Sequence, residues 1–489
     1  MSIQKQFLPN IVLVVGLNLL IKPFYILGID RGVQNEVGAE AYGVYFALLN
    51  FVYLFQFFND LGIQNFHHSV YSKFEYLIPK YLPKIIGAKV MLAMLFLLVT
   101  LAGTALLGYP YVYLDLIGML ALNQVLASLV LFFRTALSAR GHYQLDSLLS
   151  ILDKLVMILL VGYLLWFASA FDMTIRTFVY CQMLSFTVAV SVAFWMLRRR
   201  GIISLSTINI DLSYTKWLLK KSLPYALVLL LMLLYTRMDG VMIERLLPDG
   251  QEQAGIYAAS YRILDAFNML GLLFAGLLLP MFAKLIAQQE SIETLASMAG
   301  SMLWTISTTV VVISIFWADE LIFLLYKSAT PYWSKVYQLL IGSFIAVSLG
   351  YVYGTLLTAG EQIQAMNRFF FIGVLLNFFL NLVFIHYWKA MGAALATLIT
   401  QSLTTAALIW LAYIRYQFKL NWWRIGKSML FVLILIMSIW GVLAFQISWK
   451  YQVLISAGCA FLLARFMGLV PSFVLLRGLS MGRIPKDAG

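Results

Sequence analysis

The chain has 489 residues, 62% of them hydrophobic and 11% charged, with a formal net charge of +13. Soluble domains carry roughly one-quarter charged residues, so water is not this chain's main solvent, and there is no room for the soluble basic surface on which nucleic-acid binding depends. Apolar runs long enough to cross about 30 Å of hydrocarbon as helices recur at about 8–29, 41–66, 85–107, 113–137, 146–168, 175–197, 217–243, 254–279, 295–316, 336–359, 369–388, 391–414, 427–447 and 452–472. Barrel strands would alternate apolar and polar residues, whereas 91–107 and 225–236 are apolar on every face, so helices are expected. The first run lacks a cleavage-like end and carries Lys22, and it is expected to remain as a span.

Fourteen spans place both termini on one side. One set of loops and tails then holds 23 of the 34 basic residues and the other set only 7, which puts both termini in the cytoplasm. Cys181 and Cys459 fall inside apolar runs, and His67, His68, His142 and His386 show no metal-ligand spacing, so neither a disulfide framework nor a metal site is expected. No loop is long enough for a soluble catalytic domain, which argues against an enzyme.

The halves carry a weak repeat. Lys5, Leu8-Pro9 and Lys22 match Lys220, Leu223-Pro224 and Arg237; Ala41-Tyr42-Gly43-Val44-Tyr45 resembles Gln253-Ala254-Gly255-Ile256-Tyr257; and Thr135-x-Leu137 matches Thr355-x-Leu357. The expected fold is an all-α polytopic membrane protein with two pseudo-symmetric six-helix lobes, 1–200 and 217–415, joined by a cytoplasmic linker at 201–216. Two extra helices and a cytoplasmic tail, 416–489, follow. Both copies begin on the same side, so they are parallel repeats related by an axis along the membrane normal, an arrangement that encloses a central cavity.

Charges inside spans are costly and mark function by default. Lys22 and Arg237 fall at equivalent repeat positions and are expected to face a cavity, although Lys22 could instead snorkel to the outer headgroups. Asn18, Lys22 and Tyr25 form one polar stripe beside Pro23. Arg237, Asp239, Glu244, Arg262 and Asp265 form either an ion-pair cluster tying two spans together or a guanidinium site for phosphate. Asp60, Asp153, Asp239 and Asp265 are candidates for coupling or charge pairing, Asp60 and Asp153 being equally readable as interfacial. Lys154, next to Asp153, is read near the cytoplasmic end of its span. Asn377 and Asn381 in the eleventh span, and Gln401 in the twelfth, are polar positions explained as well by helix-to-helix hydrogen bonds as by sugar contacts.

Together with the fourteen spans, Tyr42-Gly43-x-Tyr45, Asp60-Leu61-Gly62, Arg237-x-Asp239 and Ala254-Gly255-x-Tyr257 resemble the polysaccharide flippases (O-antigen and capsule repeat-unit translocases) of the multidrug/oligosaccharidyl-lipid/polysaccharide exporter superfamily. The resemblance implies transport of undecaprenyl-pyrophosphate-linked oligosaccharide from the cytoplasmic to the periplasmic leaflet of a bacterial inner membrane by alternating access. It also implies Lys22, Arg237 and Arg262 as the cations of the substrate cavity. Membrane lipids and, as a candidate, the polysaccharide polymerase machinery are the expected partners, a closed two-lobe transporter is expected to be a monomer, and no cofactor is expected beyond coupling to protons, sodium or the membrane potential. The alternative is a cation-coupled multidrug antiporter of the same superfamily, in which Asp60, Asp239 or Asp265 would bind the coupling ion. Members of that branch usually have twelve spans and an acid-lined cavity.

Overall fold

A computed structural model describes residues 16, 18, 20–64, 78–168, 172–202, 210–419 and 421–470, and every regular element among them is helical. A π-helical turn, Tyr25–Asp30, leads into α1 (Arg31–Asp60). Then follow α2 (Ile78–Leu106), α3 (Leu114–Ala139), α4 (Tyr143–Trp166), α5 (Ile175–Arg199), α6 (Leu212–Leu246) and α7 (Gly250–Ala287). The chain continues through α8 (Glu293–Phe316), a short α9 (Ala318–Leu325), α10 (Pro331–Ala359), α11 (Ile363–Tyr416), α12 (Trp422–Leu443) and α13 (Trp449–Phe466).

Eleven helical stretches among the described residues are long and apolar enough to cross a membrane. Two of them each hold two of the expected spans: Leu20–Asp60 breaks at Gly38 (φ 84°) and Ile363–Tyr416 at Lys389 (φ 52°). The last expected span is α13, 18 residues long. The chain is therefore a multi-pass, all-helical membrane protein, and each of the fourteen expected spans is helical over most of its described length. His67 and His68 lie outside the described residues, as does the start of the first span.

The first span differs from expectation at its end. Hydropathy stops it near residue 29, before Asp30 and Arg31, but the helical path runs on to Gly38. A charge ends an apolar run only when it must reach water, and Asp30 has a buried partner. The π-turn follows Pro23, whose missing N–H cannot continue the regular ladder.

The chain forms two compact units, one of 1–266 with 370–393 and the other of 267–369 with 394–489. In the first unit, α3 packs on α5, and α1 packs on α2 and α6. Its core includes Leu82, Ile85, Phe132, Leu137, Leu197 and Leu218. In the second, α8 packs on α10 and α12 on α13. Phe431, Leu435 and Ile439, spaced four apart on one face of α12, meet the small residues Ala460 and Ala464 of α13, while the Trp317 indole donates to Gln452 at 3.2 Å.

Within the first unit, two repeat-related glycines make a reciprocal contact. A Cβ on Gly43 would overlap the carbonyl oxygen of Gln251, and one on Gly255 would overlap that of Ala39. Ala39 and Gly43 stand 212 residues before Gln251 and Gly255, the offset of the sequence repeat. Mutual contact of equivalent residues is the mark of a two-fold axis, here within one chain. Only glycine permits so close a helix crossing, which gives both copies of the motif a packing reason.

Candidate functional site

Arg262, on α7, lies at the centre of a buried cluster in the first unit. Its Nε donates to Asp30 Oδ2 at 2.6 Å and approaches the Tyr42 hydroxyl at 3.1 Å. Asp30 is 2% exposed, and its other oxygen, Oδ1, has no hydrogen-bond partner among the described residues. Asp265, one turn along α7, is 3.8 Å from Arg262. The π-turn places Asp30, α1 places Tyr42, and α7 places the arginine.

Arg237, on α6, is held differently. Its guanidinium lies 4.9 Å from the centroid of the Tyr53 ring and 5.4 Å from that of Tyr261, and no carboxylate among the described residues comes within ion-pair distance. The carboxylate whose charge acts on it is Asp265. Two aromatic faces stabilise a desolvated guanidinium by roughly 1–2 kcal/mol each without cancelling its charge.

A cavity of about 100 Å³ borders Arg262 and the Tyr53 ring, with Tyr25, Tyr45, Gln124, Asp153, Lys154 and Gln182 among its other walls. Asp153 and Lys154 pair at 3.0 Å, and the Lys154 ammonium lies 4.7 Å from the Tyr25 ring centroid. Lys154 is the twelfth residue of α4's 24, so its placement near the cytoplasmic end is corrected to mid-helix. The difference arises because the helix begins at Tyr143, earlier than hydropathy places it, and Asp146 in its first turn is balanced by Arg134 at 2.7 Å.

The other expected residues are distributed as follows. Lys22 is half-buried, and its charged neighbours are Arg134, Asp153, Lys154 and Asp146, whereas those of Arg237 are Asp265 and Arg262. The two repeat-related cations thus sit in different surroundings. Asn18 donates to Ser150 Oγ at 3.2 Å. Asp60 pairs at 2.6 Å with Lys89, which is 3% exposed and also donates to Ser128; hydropathy alone counts Lys89 with the cytoplasmic loops. Asp239 accepts hydrogen bonds from the Tyr257 hydroxyl and from Asn381 Nδ2, each at 2.7 Å, and Asn381 also donates to Asn377. Glu244 pairs with Arg245 and not with Arg237, although the two share a face. Gln401 is buried in the second unit. Among the described residues no cluster of His, Cys, Asp and Glu has the make-up of a metal site.

Sequence reasoning missed Asp30, Tyr42 and Lys154 as members of the cluster. Tyr42 had a signal, since it lies in the repeated motif. Asp30 had none, because its importance depends on a residue 232 positions away.

Residues 32–286 match the family described as polysaccharide biosynthesis protein. Among solved structures, the chain is similar to the lipid II flippase MurJ in an inward closed conformation, with 12% identity, TM-score 0.71, and coverage of 97% of this chain and 99% of that one. It is also similar to a substituted form of the Vibrio cholerae MATE transporter VcmN, with 15% identity, TM-score 0.59 and coverage of 84% and 96%. A third likeness is to a transporter of the MOP superfamily from Pyrococcus furiosus, at 15% identity, TM-score 0.56 and coverage of 83% and 94%. At these identities the likenesses establish a shared fold. A comparison with curated proteins gave no match.

Proposed function

Because this chain belongs to the polysaccharide biosynthesis protein family, we propose that it is a flippase carrying undecaprenyl-diphosphate-linked oligosaccharide repeat units from the cytoplasmic to the periplasmic leaflet of a bacterial inner membrane, for O-antigen, capsule or exopolysaccharide synthesis. The observation that carries the reading is Arg237. Arg262 and Lys154 each have a carboxylate at contact distance, whereas Arg237 is held between two rings with no carboxylate partner among the described residues. A desolvated guanidinium of this kind is suited to a diphosphate, which its planar fork can grip by paired hydrogen bonds.

Binding then follows from exchange of partners. The diphosphate takes Arg237 directly and competes with Asp30 for Arg262, so when the site empties Arg262 returns to Asp30 while Arg237 is held by its two rings. Fixed cations replace the hydration of the headgroup while the polyprenyl tail stays in lipid. Lys22 lies in a neighbouring charge environment and is a further contact for the same headgroup. Alternating access moves the loaded site from one face to the other, as a monomer, with the coupling free energy drawn from protons, sodium or the membrane potential.

The test is flipping of a labelled undecaprenyl-diphosphate oligosaccharide in proteoliposomes. Arg237→Ala is expected to abolish transport while leaving the protein monodisperse. Normal flipping by that variant refutes the assignment, and export of a cationic dye in place of the lipid supports the antiporter.

A further inference from the structure

Asp153 and Lys154 sit at the middle of α4, where a charged side chain costs at least about 2.5–3.5 kcal/mol on insertion scales. Ion pairs that repay such a cost by holding a fold usually join two elements. This one joins sequence neighbours, at 3.0 Å, and across helices Asp153 has, among the described residues, only the attraction of Lys22, beyond ion-pair distance. The close contacts that reach other helices are those of the Lys154 ammonium with the Tyr25 ring at 4.7 Å and the Phe186 ring at 5.5 Å. An apolar side chain would pack against those rings as well.

The pair nevertheless borders the same cavity as Arg262, with Gln124 and Gln182 beside it. Gln182 already donates to the Tyr45 hydroxyl at 2.8 Å. These walls offer a carboxylate that accepts from hydroxyl groups, an ammonium and amide groups that donate, and ring faces that cover C–H surface. Such a set matches a sugar ring better than a diphosphate, which has no proton to give a carboxylate.

Resting on the flippase reading above, we propose that Asp153 and Lys154, under Tyr25, form a subsite that binds a sugar residue of the carried glycan and lets the site distinguish glycosylated from bare polyprenyl diphosphate. The arginines hold the headgroup, and the α4 pair reads what is attached to it. At about 100 Å³ the cavity is smaller than the roughly 300–1,000 Å³ of ligand pockets, so the sugar enters only as the surrounding helices part.

The experiment measures binding of two probes to the full chain in nanodiscs: undecaprenyl diphosphate bearing an oligosaccharide, and undecaprenyl diphosphate alone. The double variant Asp153→Asn/Lys154→Met avoids leaving one charge unpaired. It is expected to bind the glycosylated probe about tenfold more weakly and the bare probe unchanged, whereas Arg237→Ala weakens both. Should the double variant fail to fold, Tyr25→Leu, which removes the ring over Lys154, is expected to give the same selective loss. Equal weakening of both probes, or no change in either, overturns the subsite while leaving the headgroup site standing. A wild type that binds neither probe overturns the flippase reading and the subsite with it.

Discussion

Removing Asp30 tests how Arg262 is held. The ion pair is 2.6 Å long, with the acid 2% and the arginine 16% exposed, so Asp30→Ala leaves a buried guanidinium without its main counter-charge. Breaking a buried pair from one side typically costs about 3–5 kcal/mol. Asp265 at 3.8 Å and the Tyr42 hydroxyl compensate in part, which places the expected loss near the lower end of that range, at about 3 kcal/mol. Replacing both partners, Asp30→Ala/Arg262→Met, removes the stranded charge. Asp265 loses its 3.8 Å contact with Arg262 but keeps the attraction of Arg237, so what remains is chiefly the lost contact with the Tyr42 hydroxyl, about 1 kcal/mol. The double variant should therefore be about 2 kcal/mol more stable than the single one, although it cannot transport. Reversible unfolding in mixed detergent micelles measures both. A double variant no more stable than Asp30→Ala refutes the view that the two residues form one energetic unit.

Gly43→Ala and Gly255→Ala each drive a methyl group into a backbone carbonyl of the facing helix, and each is expected to destabilise by about 1–3 kcal/mol or more, seen as a lower melting temperature in detergent. Asp239→Leu removes the carboxylate that accepts from the Tyr257 hydroxyl and the Asn381 amide and should cost about 2 kcal/mol or more, whereas Asp239→Asn, which keeps an acceptor oxygen, should cost less; the same melts separate them. Outside the membrane-spanning stretches, the hydrogen bond from Lys84 and that from the Tyr214 backbone N–H hold the Asp211 carboxyl below the usual carboxylate range. Its folded-state pKa lies below the unfolded value of about 3.9, so its contribution is complete above the unfolded value and is lost as pH falls through the lower folded-state pKa. The melting difference between wild type and Asp211→Asn should accordingly be constant from pH 8 to about pH 5 and shrink progressively as pH falls below about 4.

The sequence by itself determined the solvent, and the solvent determined most of the architecture. In hydrocarbon the backbone must satisfy itself locally, so apolar runs of the right length become helices with little help from their neighbours. That is why the fourteen spans and the break between residues 388 and 391 were legible without coordinates. The repeat was legible too, because the demand for glycine at a close helix crossing is written into both copies, at Gly43 and Gly255. Arg237 and Arg262 could be named because a guanidinium inside an apolar run is conspicuous.

Only the tertiary structure decided which charges meet. Spacing along a helix suggested Arg237 with Glu244, yet Glu244 turns to Arg245 and Arg237 to two tyrosine rings. Asp30 read as the end of a span because its partner is far away in sequence. The polar stripe of Asn377 and Asn381 became part of the hydrogen-bond network of Asp239, and Lys154 moved from the edge of a span to its middle. The physical reason is common to these cases. A helix forms from local hydrogen bonds, but the free energy of a buried charge depends on whatever lies within a few ångströms of it, and in this chain that is set by helices brought together from distant parts of the sequence.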